Sequence, residues 1–187
     1  MTGREKFTDL FEAIRHARHH IHLEYFNFRN DSIANSLFDL LAEKVKEGVE
    51  VRAMFDAFGN WSNNQPLKKH HLQAIKARGI EIVKFDPITF PYINHAMHRD
   101  HRKIVVIDGK TGYTGGMNIA DYYINGLPKI GKWHDIHMHI EGAATVFRSP
   151  KYCLAAKHHL VKLQYHQSRL YRMNIIHDSA RMLLRLS

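Results

Sequence analysis

Cysteine is all but missing from this chain of 187 residues: Cys153 stands alone. A single cysteine cannot close an intramolecular disulfide, so the fold must rest on its own core, and the chain fits a reducing compartment. Long apolar runs are missing as well. No stretch approaches the ~20 residues a helix needs to cross a bilayer, and Met1-Thr2-Gly3-Arg4-Glu5-Lys6 leads into an amphipathic segment, not a secretory signal. Taken alone, the chain is expected to be soluble or peripheral to a membrane. Glycine and acid run out together: after Ala144 there is no Gly, and Asp178 is the one acid against eight Lys and Arg. Residues 144–187 thus carry +7 of the formal +9. That charge suits an anionic lipid or nucleic-acid surface, a solvated helical face, or sequence foreign to the fold.

The remainder has the means to fold. At 44% hydrophobic residues, a chain of this length supports one domain with a proper core. Phe7, Leu10, Phe11 and Ile14 recur at helical spacing, which predicts a helix over about 7–19. A strand follows at about 20–27. Asp31-Ser32 can cap a helix whose apolar stripe is Ile33, Leu37, Leu40, Leu41 and Val45, and Glu47-Gly48 ends it. A strand at 49–55 makes this a strand-helix-strand unit, hence a parallel pair with a right-handed crossover. A polar loop, Gly59 to Gln65, precedes a helix at about 66–78 and a strand at 80–84. Pro87 and Pro91 break the next segment. Further strands are expected at 104–107, 111–115 and 134–140, and helical stretches at about 150–167 and 170–186. The pattern predicts an α/β domain over 1–143, a mixed sheet flanked by helices on both faces, followed by a basic, helical tail over 144–187.

The chemistry concentrates in one run, His101-Arg102-Lys103-Ile104-Val105-Val106-Ile107-Asp108, followed by Gly115-Gly116-Met117-Asn118. Ile104 to Ile107 is β-branched and bounded by Asp108-Gly109, so it reads as a buried strand that ends in a turn. Side chains alternate along a strand, so His101 and Lys103 project from one face, a pleat apart. An ammonium beside an imidazole suits a phosphate: one supplies charge and donors, the other a nucleophile or acid near neutral pH. Asp108 has the opposite parity, and serves such a site only where the chain turns back. Gly115 and Gly116 would admit a phosphate to the backbone without a Cβ in the way, and Asn118 adds an amide donor. Asn118 and Asp108 are therefore expected to approach His101 and Lys103 from the following turns.

This run, H-x-K-x4-D-x6-G-G-x-N, resembles the signature of the phospholipase D superfamily. The likeness extends through Ile21-His22-Leu23-Glu24-Tyr25-Phe26, Asp31, Gly48-Val49-Glu50-Val51-Arg52 and Asp56-Ala57-Phe58-Gly59. It continues through Asn94-His95, Arg99-Asp100, Asp121-Tyr122, Lys132-Trp133-His134-Asp135 and Glu141-Gly142. Over about residues 3–143 the chain is similar to the first catalytic half of bacterial cardiolipin synthases. The resemblance implies transfer of a phosphatidyl group by double displacement, with phosphatidylglycerol as donor and acceptor and no cofactor. One motif's His forms a phosphohistidine while the other motif's His protonates the leaving alcohol. Lys and Asn steady the phosphoryl oxygens, and the Asp orients the imidazole. Members of the family carry two motifs and usually open with membrane-spanning helices at the bacterial inner membrane. Here one motif and no such helix is seen, and the likeness stops at Ala144. Three readings stay open. The chain is a half that needs a second motif from a missing C-terminal half, a homodimeric phosphodiesterase or nuclease, or an inactive remnant. A nucleic-acid partner ranks below phospholipid.

Other polar residues carry two readings each. Glu24 interrupts an apolar strand and is either paired at an edge or positions substrate. Arg99 and Arg102 flank His101, open to an anionic head group or an ion pair. Trp133 reads as core. Sixteen His residues invite a metal reading, with His95, His98 and His101 three apart and His134, His137 and His139 near Asp135. Tight zinc sites prefer defined pairs such as H-x3-H on a helix, no Cys pair is available, and no metal is expected.

Overall fold

In a computed structural model of the chain, which describes residues 2–87, 99–128, 131 and 133–142, the first helix begins earlier than its apolar stripe implies. Thr2 and Glu5 form a reciprocal capping box that starts α1 (Gly3–Arg15). The helix also stops short of residue 19. The amides of Arg18, His19 and His20 all donate to the Asp108 carboxylate, at 2.8, 2.8 and 2.9 Å, and so are withheld from helical carbonyls. Then come β1 (His20–Tyr25), α2 (Ser32–Lys46) and β2 (Glu50–Asp56). Asp31 caps α2 as expected, but with a partner: its carboxylate also accepts from Asp121 N, while that of Asp121 accepts from Ser32 N and Ile33 N.

The expected polar loop after β2 is partly helical. Asp56 accepts from Phe58 N and Gly59 N and so starts a short α3 (Ala57–Trp61). Asn60 then grips Leu67 through both its backbone groups, which delays the next helix, α4 (Lys69–Ala77), past the expected residue 66. The chain continues through β3 (Glu81–Phe85), β4 (Ile104–Ile107), β5 (Thr111–Gly115), α5 (Tyr122–Asn125) and β6 (His137–Glu141). The last strand begins later than the expected residue 134, and α5 was not legible in the periodicity. The tail with its two expected helical stretches, 150–167 and 170–186, lies outside the described residues.

The strands form one mixed six-stranded sheet in the order β3-β2-β1-β4-β5-β6. β1, β2 and β3 run parallel, while β4, β5 and β6 form an antiparallel meander joined to β1. Right-handed crossovers place α2 and α4 on one face. That face holds the core: Ile21, Leu23 and Tyr25 of β1, Val51, Ala53 and Phe55 of β2, and Val105 and Ile107 of β4 meet Phe7, Leu10, Leu37, Phe38, Leu41 and Ile75 of the helices. Each such large side chain stabilises the fold by roughly 1.5–3 kcal/mol. Residues of opposite parity behave differently. His22 pairs with Glu50 at 2.9 Å, Arg52 with Glu81 at 3.4 Å, and Glu24 with Arg102 at 2.6 Å.

Candidate active site

The strand registers bring five chain segments to one end of the sheet. Glu24 pairs with Ile104, Ile104 with Thr114, and Gly115 with His137. The residues just beyond β1, β2 and β5 therefore gather with those just before β4 and β6. His101 and Lys103 precede β4 at this end. The Lys103 Nζ lies 2.9 Å from His101 Nδ1 and donates to the His101 carbonyl at 2.6 Å. Phe26, directly after β1, supports both: its ring centroid is 4.6 Å from that of His101 and 5.4 Å from the Lys103 Nζ.

Electrostatics follow from this packing. Burial pushes the Lys103 ammonium down to about 8, against the pull of the Asp100 and Asp135 carboxylates. Partial desolvation and then the Lys103 charge hold the His101 imidazole below its ordinary value, opposed by Asp100 and Asp56. His101 is thus kept neutral near pH 7, as a nucleophile requires. With Nδ1 accepting from an ammonium, the neutral ring carries its proton on Nε2. Attack through Nε2 requires that contact to open, which a phosphate competing for the Lys103 ammonium would achieve.

The approach to His101 is held by Asp56, whose carboxylate is fully buried. It accepts from Asp100 N at 2.8 Å and from Arg99 Nη1 at 3.2 Å, besides its bonds to α3. Arg99 also pairs with Asp86 at 3.5 Å, and Arg102 bridges Glu24 and Asp100. Arg99, Arg102 and Glu24 thus form an ion-pair frame around the run.

Asn118 comes to the same end of the sheet. Its Oδ1 accepts from Asn27 N at 3.3 Å and its Nδ2 donates to the Tyr123 hydroxyl at 3.4 Å. Gly115 and Gly116 are also there, but protein fills the space beside them. A Cβ on Gly115 would lie 2.4 Å from the Ile136 carbonyl oxygen, and one on Gly116 2.3 Å from an Asp135 carboxylate oxygen. These glycines let the segment before β6 close onto the turn.

Asp108 does not join the site. It lies at the far end of β4, where its carboxylate holds the amides of residues 18–20. Together with Gly109 it adopts positive φ, 52° and 66°, in the β4–β5 hairpin turn. The four extended residues of β4 explain this. β4 leads the chain away from His101, and Asp108 sits in the turn at its far end before β5 returns, so Asp108 cannot orient that imidazole. Sequence reasoning also missed Phe26 and Lys6. Lys6 was marked by one signal, a charge on the apolar face of α1 between Gly3 and Leu10. Among the described residues no group of three or more His, Cys, Asp and Glu is arranged to hold a metal ion. His137 is buried and its imidazole pushed down to about 3, by desolvation and the Lys6 charge, and His139 pairs with Asp9 at 2.9 Å. His95 and His98 lie outside the described residues.

A mixed sheet whose end carries this His–Lys pair and a following Gly-Gly-x-Asn turn defines a phospholipase D-like domain. The family model "Cardiolipin synthase, PLD-like domain" matches residues 10–125, and the chain belongs to that family. It is 44% identical over 143 residues to a cardiolipin synthase of Halalkalibacterium halodurans, covering 76% of this chain and 28% of that protein. It is 41% identical over 141 residues to a probable cardiolipin synthase of Bacillus subtilis, covering 75% and 27%. The chain thus spans little more than a quarter of the length of these relatives. In fold it is similar to phosphatidylserine synthase of Haemophilus influenzae, with TM-score 0.62, 16% identity, and coverage of 81% of this chain and 34% of that one. It is also similar to NucT from Helicobacter pylori, with TM-score 0.58, 14% identity, and coverage of 80% and 85%.

Proposed function

We propose that this chain is half of a phosphatidyltransferase site of cardiolipin synthase type, which works when a second copy of the motif is brought to it. The observation that carries the reading is the Lys103 Nζ held 2.9 Å from His101 Nδ1 in a chain of this family. In the proposed reaction His101 Nε2 attacks the phosphorus of phosphatidylglycerol. An N–P bond forms, the P–O bond to the glycerol head group breaks, and the second motif's His protonates the departing oxygen. That same His then deprotonates the hydroxyl of a second phosphatidylglycerol. The resulting oxygen attacks phosphorus and releases His101, giving cardiolipin and glycerol. Lys103 offsets charge on the phosphoryl oxygens. The second motif comes from another chain, a missing C-terminal half or a second copy.

The reading places the site against a lipid surface. The exposed large hydrophobic residues among those described, Phe58, Trp61 and Ile136, all belong to segments at the His101 end of the sheet, with Trp61 76% exposed. Residues 57–80 contain no acid, and Lys68 and Lys69 are exposed. Exposed Trp beside Lys suits an anionic head-group layer, since lysine is depleted from protein–protein interface cores. No helix among the described residues is long and apolar enough to cross a membrane.

The test is incubation with radiolabelled phosphatidylglycerol vesicles, with and without the second-motif half of a relative, followed by trapping of an acid-labile phosphatidyl adduct. The adduct is expected on His101, absent in His101→Ala, and turned over to cardiolipin when the second motif is added. Full turnover by a strictly monomeric preparation would refute the need for two motifs.

A further inference from the structure

Lys6 has no exposed surface at all, and a buried charge costs several kcal/mol unless its surroundings compensate it. Its Nζ donates to the carbonyls of Met117 and Asn118, at 3.1 and 3.2 Å. The rings of Phe7 and Tyr25 wall it in, with centroids at 4.4 and 5.2 Å. The helix is seated closely enough for this reach because residue 3 is glycine: a Cβ there would meet the Tyr123 carbonyl oxygen at 2.0 Å. Met117 and Asn118 continue the Gly115-Gly116 turn, and the Asp135 carboxylate lies against Gly116. Lys6 therefore enters from α1 behind the turn that carries Asn118.

Burial pushes the Lys6 ammonium well below its ordinary value; Asp135 draws it back up and Lys103 opposes it, while burial also lowers Lys103 against the pull of Asp100 and Asp135. Asp135 thus serves two lysines that repel each other. A phosphoryl anion beside Lys103 would favour the protonated form of both.

We propose that Lys6 is a positioning residue of the phosphate site. It fixes the Gly115–Asn118 turn through two backbone carbonyls and lies behind Lys103 and Asn118, where a bound phosphoryl anion would favour its charged form. The proposal rests on the reading of His101, Lys103 and Asn118 as that phosphate site. It adds an amine that never touches substrate, yet raises affinity for any phosphoryl group held there. A merely structural lysine would stabilise the fold equally with and without phosphate.

The test uses the full chain and inorganic phosphate, measuring affinity from the shift of the His101 ring resonances and the phosphate-induced gain in Tm. Lys6→Met keeps the length and removes the charge and both hydrogen bonds. It is expected to weaken phosphate binding about tenfold, the order of one charge-assisted interaction, and to shrink the Tm gain accordingly. A second comparison avoids an uncompensated Asp135 should Lys6→Met not fold: Asp135→Asn against Asp135→Asn/Lys6→Met. The double variant should bind phosphate about tenfold more weakly than Asp135→Asn. A lower Tm with unchanged phosphate affinity, in either comparison, overturns the role given to Lys6 and leaves the phosphate site intact. A wild-type chain whose His101 ring does not respond to phosphate overturns the phosphate site and the Lys6 proposal together.

Discussion

Removal of the Asp108 carboxylate separates a structural aspartate from a catalytic one. In the fold it accepts three backbone hydrogen bonds of 2.8–2.9 Å, from Arg18, His19 and His20. Its burial opposes the charge, but the amides of His20, Arg18 and His19 outweigh this and hold its pKa below the ordinary carboxylate range. Hydrogen bonds to a charged group are each worth about 1.5–3 kcal/mol at best, and the exposure of residues 18 and 19 reduces that. Asp108→Ala also leaves φ 52° to a residue without the short polar side chain that suits Asp to that region, at roughly 1 kcal/mol. The expected loss is about 3 kcal/mol in all. Asp108→Asn keeps one acceptor and the Asx-Gly turn, and should lose about 1 kcal/mol. Urea denaturation measures both. Because the folded-state pKa is depressed, the advantage of Asp over Asn is present above the unfolded value of 3.8 and lost as pH falls through the folded one. The folded fraction of each variant should bind inorganic phosphate at His101 as tightly as wild type. If Asp108→Asn keeps full stability and loses phosphate binding or the phosphohistidine, Asp108 acts on His101 and its placement here is wrong.

Binding of glycerophosphoglycerol, whose single negative charge does not titrate near neutrality, should weaken as pH rises above about 8, where Lys103 loses its proton, and calorimetry across that range checks it. Stability should move the other way, because an unfolded Lys103 keeps its proton to about 10.5 and the unfolded state then binds more protons. Lys103→Met removes both trends and should slow adduct formation roughly 10²- to 10³-fold, as for loss of one oxyanion donor. In a Trp133→Phe chain Trp61 is the remaining tryptophan of the two. Its emission should shift to the blue with phosphatidylglycerol vesicles and stay unshifted with phosphatidylcholine; a shift that tracks protein concentration without lipid would instead mean that protein covers it. A chain ending at Gly142 should retain cooperative unfolding of the sheet while losing much of its salt-sensitive retention on anionic vesicles, since +7 of the +9 lies beyond residue 143. Loss of cooperative folding in that truncated chain counts against a separate tail.

Local chemistry was enough to place most elements. The β-branched run Ile104 to Ile107, the Asp31 cap and the helical stripe of α2 are each set by residues close in the chain, so their sequence carries their structure. His101 and Lys103 are two residues apart and meet as their spacing suggests, although both precede β4 and the contact is made by the Lys103 Nζ. Short helices were not legible: α3 and α5 depend on Asp56 and on the Asp31–Asp121 exchange, contacts that leave no periodic trace.

The sequence by itself determined the two-residue spacing of imidazole and ammonium, the turn after Ile107, and membership of the cardiolipin synthase family. Tertiary structure alone decided what surrounds them. Asp108 is seven residues from His101 in the chain, yet β4 carries it to the opposite end of the sheet, because an extended strand separates its termini by about 3.3 Å per residue. Lys6 is 111 residues from Met117, yet they are in hydrogen-bond contact, because α1 packs over the sheet and Gly3 lets it close. A motif records which side chains lie close along the chain. Which charges lie behind them depends on elements brought there by burial of the core.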